Sequence, residues 1–153
     1  MDSRGARAVI NELIGQRWTD VRYWLDIGNN ADSGQFVLGQ PLNGRNRRKA
    51  HRLRTVAELF PEIVDPSLDD NSQPSCSAAE ALDRQHPFIN QTLANHALAL
   101  LSRLFRCGSV GYHGRFVNLL TGSSFGLRTD PRVWKRMIAR HRKAVIGPAE
   151  TTN

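Results

Sequence analysis

Apolar residues recurring every three or four positions mark the strongest element of the chain. Ile89, Leu93, Ala97, Leu100, Leu101 and Leu104 fall on one stripe, which predicts a helix from near Pro87 to Cys107, closed by Gly108. A first helix is predicted from Ser3 to Gln16, with Asp2 or Ser3 as cap and Ala6, Ile10, Leu13 and Ile14 facing inward. Between them the pattern changes to that of strands. Val21 to Ile27 is rich in aromatic and branched residues and is stopped by Gly28-Asn29-Asn30. Gly34 to Leu38 follows a short turn, so the two runs are expected to pair antiparallel. Asp26 lies between Leu25 and Ile27 in the first run and is expected to face solvent.

The basic stretch Leu42 to Arg52 reads as a loop, and Thr55 can cap a short helix bearing Val56, Leu59 and Phe60 before Pro61 limits it. Asp65 to Ser75 is loop-like, and a short helix is predicted at Ala78 to Arg84. Arg115 to Leu120 and Phe125 to Arg128 read as a hairpin around Thr121-Gly122-Ser123-Ser124. Asp130-Pro131 then opens a last helix, with Val133, Trp134, Met137 and Ile138 inward. Trp18, Trp24 and Trp134 are all expected in the core or an interface. The strand that a βαβ unit would place before the first helix is missing from this order. The expectation is the back half of a larger α/β fold over residues 1–146, with a disordered tail at 147–153.

Length and composition narrow the class. The 153 residues allow one domain, and 40% hydrophobic with 23% charged residues is ordinary for a globular chain. Two cysteines fit neither a disulfide framework nor a zinc site, so a cytoplasmic location is the simplest expectation. No signal peptide is legible, and the longest apolar stretch, Ala97 to Leu101, is too short to cross a membrane. The net charge of +7 is concentrated in Arg45 to Arg54 and in a second cluster from Lys135 to Lys143. Such patches attract phosphates, but no recognition-helix, zinc-finger or RNA-binding signature accompanies them, so a nucleic-acid role is the weakest reading.

One residue carries possible chemistry. Cys76 precedes Ser77 and Glu80, which have capping-box spacing, so its sulfur falls just outside a helix N-terminus where a thiolate is favoured. Asp69 and Asp70 upstream act against that by raising a thiol pKa. The plainer alternative is a small apolar residue filling a gap; its proline, serine and asparagine neighbours favour exposure.

Several segments, taken in order, resemble the ThiF/MoeB-like adenylating enzymes related to ubiquitin-activating enzymes, most closely the PRTRC-system ThiF family. They are Asp2-Ser3-Arg4-Gly5-Ala6-Arg7, which is similar to a D-x-x-x-x-R element, and Tyr23 to Asn29 with Asp32 to Gln35. Pro74-Ser75-Cys76-Ser77 with Glu80-Ala81-Leu82 and Phe88 to Gln91, and His113 to Leu119 with Thr121-Gly122, complete the set. The resemblance implies the carboxyl-terminal half of a Rossmann-like ThiF-type fold, with antiparallel strand pairs and packed helices. It further implies that Asp2 helps hold magnesium and ATP, that Arg7 sits near the nucleotide phosphates, and that Cys76 forms a thioester with a ubiquitin-like or sulfur-carrier protein. The chain departs from that family in having no G-x-G-x-x-G loop and no paired CxxC motif. Activity would then need a separate ATP-binding half, and the open surface left by a half-fold predicts a homodimer or other association. A non-catalytic binding or scaffold module and a small basic nucleic-acid binder are the alternative expectations.

Overall fold

The computed structural model describes residues 3–69 and 85–146, with side chains as far as residue 140. The predicted helix at Ala78 to Arg84 and the tail from Gly147 lie outside the described residues. Helix α1 (Arg4–Gly15) leads to β1 (Trp24–Asn29), β2 (Ser33–Gly39) and the single-turn α2 (Val56–Leu59), followed by 3-10 turns at Pro61–Val64 and Pro66–Leu68. Then come α3 (Ile89–Cys107), β3 (Tyr112–Asn118), β4 (Ser123–Arg128) and α4 (Pro131–Ile146).

The strands form one antiparallel sheet in the order β1-β2-β3-β4, so the two hairpins join edge to edge through β2 and β3. That junction pairs Ser33 with Asn118 and Val37 with Gly114. Gly114 is required there, because a Cβ on it would stand 2.7 Å from the Phe36 carbonyl oxygen. The central strand β2 is buried on both faces. Phe36 and Leu38 point to the α3 side, where Ala97, Leu100 and Leu104 cover them, while Ile89 and Leu93 pack on Val117 of β3. Val37 points to the other side with Trp24, Val56, Leu59, Leu127 and Trp134. The molecule is thus an α/β fold with helices on both faces of an antiparallel sheet.

Local chemistry sets the element ends. Ser3 caps α1 by accepting the Ala6 N–H at 3.1 Å. Thr55 and Glu58 form a reciprocal capping box on α2. Gly108, at φ +70°, ends α3 in the left-handed conformation with its N–H on the Leu104 carbonyl. Two readings are corrected. The inner face of α1 is Arg7, Ile10 and Ile14; Ala6 is exposed and Leu13 is 55% exposed, because the stripe turns through the arginine. Asp26 is not solvated but 2% exposed. Trp24 and Trp134 are core residues as expected, and Trp18, 79% exposed, keeps only the interface alternative.

Candidate functional site

Arg7 lies one turn into α1 and reaches across to β1. Its Nε donates to Asp26 Oδ1 at 2.8 Å, with both side chains almost completely buried. The other oxygen of Asp26, Oδ2, is buried without a partner among the described residues. Gly28, two positions along β1, lies beside the guanidinium: a Cβ there would be 2.6 Å from Arg7 Nη2. The first helix and the first strand therefore meet in one buried ion pair. An aspartate inside an apolar strand, where aspartate is disfavoured, was the signal that a partner existed. The sequence does not say which of 21 basic residues it is.

The N-terminal end of α1 holds a second cluster. Asp69 accepts the backbone N–H groups of Arg4 (2.9 Å) and Gly5 (3.0 Å) and the Ser3 hydroxyl (3.2 Å). Arg4 also donates to the Leu68 carbonyl. The Gly5 N–H, then that of Arg4, hold the Asp69 carboxyl below the usual carboxylate range. Asp69 thus serves the helix N-terminus as a carboxylate acceptor supplied from a distant part of the chain. After the segment 70–84, the chain is fastened again by His86, whose N–H donates to the Ala31 carbonyl at 2.8 Å in the β1–β2 turn. Arg7 contacts the Asp26–Gly28 end of β1, so both fastenings lie toward the same end of the sheet.

Cys76 follows Asp69 by seven positions and Asp2 precedes Ser3; both lie outside the described residues. Of the three residues singled out from the sequence, the structure places Arg7 alone. Arg7 is 6% exposed and its charge is matched by Asp26. Among the described residues no group of three or more His, Cys, Asp or Glu is placed to hold a metal ion, and no helix is long and apolar enough to cross a membrane.

Of the described histidines, His113 is the most enclosed. Its Nδ1–H donates to the Leu38 carbonyl at 2.8 Å and its ring meets Trp134 edge-on at 5.1 Å. Burial pushes its pKa down, against the opposing effect of the Leu38 bond, so it is held as a neutral packing residue. Cys107, at the last position of α3, is exposed. Comparison with family models, curated proteins and solved structures finds no match.

Proposed function

We propose that this chain is the thiol-bearing, carboxyl-terminal half of a ThiF-type activating protein of the PRTRC-system kind, with Cys76 accepting the activated terminus of a ubiquitin-like or sulfur-carrier protein. The observation that carries this reading is the double fastening of the segment that contains Cys76. At one end Asp69 is bonded to the first turn of α1; at the other His86 is bonded to the β1–β2 turn. The ties at both described flanks, Asp69 and His86, support a reading in which the intervening segment delivers its nucleophile near that end of the sheet.

The remaining geometry agrees with a half-fold. An antiparallel sheet has helices on both faces, and the outer edges of β1 and β4 alike have no partner strand among the described residues. At the β1 edge a Rossmann-like, glycine-rich half would continue the sheet and bring ATP and magnesium. Arg7 then acts as a positioning residue, fixing α1 against β1 through Asp26. The step assigned to this chain is thioester formation. The Cys76 thiolate attacks the activated carbonyl carbon, the activating group leaves, and the thiol proton goes to solvent.

A peptide thioester ending in glycine tests this without the nucleotide-binding half. After incubation with the full chain, peptide mapping by mass spectrometry is expected to find the acyl group on Cys76 well before Cys107, and none at that position in Cys76→Ala. Equal acylation of both cysteines, or acylation of Cys107 alone, would end the reading.

A further inference from the structure

The two basic clusters, about 90 positions apart in sequence, meet in space. The loop between β2 and α2 and the first turns of α4 enclose an open groove of about 730 Å³. Arg47, Lys49, Arg52 and Arg54 line it from the loop and Lys135 from α4. No carboxylate lines it among the described residues. Glu58, just behind, takes up part of the charge: it accepts Arg52 Nη1 at 2.8 Å and Arg54 Nη1 at 2.7 Å. Arg47, Lys49 and Lys135 are exposed and form no ion pair among the described residues. Lys135 also borders a neighbouring depression with Arg132, Arg136 and Asp130, which carries three cations against one carboxylate at the start of α4.

The loop that shows these cations is held by a buried polar scaffold. Asn43 and Asn46 are both fully buried. Asn43 Nδ2 donates to the carbonyls of Ile14 (3.2 Å) and Val21 (2.9 Å), and Asn46 Nδ2 to those of Val21 (3.0 Å) and Arg22 (3.2 Å). Asn43 Oδ1 accepts the Asn46 N–H at 3.1 Å, and Gln40 Oε1 accepts the Leu53 N–H at 3.1 Å. Gly44 is pressed so closely on the Arg17 carbonyl that a Cβ would fall 2.2 Å from its oxygen. Burying amides to fix an exposed basic loop makes it a preorganised surface rather than a slack one.

The floor between the cations is apolar. Leu42, 58% exposed, forms it with Ala50, Ile138 and the edge of Trp134. Trp134 is only 5% exposed and backed by His113, so it offers no open ring face on which a base could stack. Cations around an aliphatic floor match carboxylates around an aliphatic side chain. We propose that this groove docks an acidic polypeptide segment of a partner protein, with an apolar side chain of that segment seated over Leu42 and Ile138. This site is independent of the thiol reading.

The test is fluorescence anisotropy of the full chain with a labelled glutamate-rich peptide carrying leucines. A leucine-free peptide of equal charge and a single-stranded DNA of equal charge serve as comparisons. The leucine-bearing peptide is expected to bind best, and Arg47→Glu with Lys135→Glu to weaken it about tenfold or more. Both sites are exposed, so folding is kept, which circular dichroism checks. Leu42→Ser is expected to erase the advantage of the leucine-bearing peptide while leaving the leucine-free one unchanged. Tighter binding of the DNA, indifference to the double charge reversal, or no advantage for leucine would each overturn the proposal.

Discussion

Replacing Arg7 by methionine tests the buried pair that joins the first helix to the edge strand. The variant leaves Asp26, whose side chain is 2% exposed, with neither carboxylate oxygen bonded among the described residues, because Oδ2 has no partner there. Breaking one side of a buried ion pair typically costs about 3–5 kcal/mol. Aspartate is too short to reach solvent from this strand, so Arg7→Met is expected near the top of that range. In Asp26→Ala the stranded guanidinium can swing outward on its long stem, and the expected cost is nearer the bottom. Either is a large share of the total stability of a domain, commonly about 5–15 kcal/mol. Arg7→Met combined with Asp26→Leu removes both charges and is expected to recover most of the loss. Urea unfolding followed by tryptophan fluorescence and circular dichroism gives all four corners of the cycle. Trp24 is a useful reporter, buried two residues from Asp26 in the same strand. Single variants costing under about 1 kcal/mol, or a double variant as unstable as the sum of the singles, would refute the reasoning.

Further outcomes follow from the same structure. Gly28→Ala places a methyl group 2.6 Å from Arg7 Nη2 and is expected to cost about 1–2 kcal/mol, but much less in the Arg7→Met background where nothing charged has to move. Gly39→Ala meets backbone instead, 2.4 Å from the Thr55 Cα, and is expected to cost about 3 kcal/mol by the same urea assay. Burial pushes the Glu58 carboxyl up, but the bonds from Arg52, the Thr55 N–H and Arg54 outweigh it and bring its pKa to about 2 from 4.5. A depressed carboxylate stabilises above its unfolded pKa. About 3 kcal/mol is therefore expected to fade as the pH falls from about 4.5 to 2. Stability measured against pH should show a shallower acid slope in Glu58→Gln than in the wild-type chain; parallel curves would contradict the assignment.

What could be seen in advance was what neighbouring residues decide. The stripe of α3, its glycine stop, the Thr55 cap and the Asp130-Pro131 opening of α4 all depend on groups within about one helical turn of each other. The joining of β2 to β3 does not: it pairs Gly34 with Val117 across most of the chain, and no local signal fixes it. A charged residue does not count toward an apolar stripe, yet Arg7 occupies that of the first helix once Asp26 neutralises it. Both basic clusters were evident as composition. That they share one groove depends on two buried asparagines setting the loop, which composition cannot reveal. Similarly, Asp69 read as part of an acidic run near Cys76, whereas it is bonded to the N-terminus of α1.

Alkylation of the two cysteines as a function of pH decides most directly whether this chain carries a nucleophile. With iodoacetamide in limiting amount and peptide mapping, Cys76 is expected to react first and to titrate below about 7.5, with exposed Cys107 as the internal reference. Asp69→Ala, which frees one fastening of the segment, is expected to reduce that lead. A Cys76 that titrates near the ordinary thiol value of about 8.5 and reacts no faster than Cys107 would contradict the proposed role.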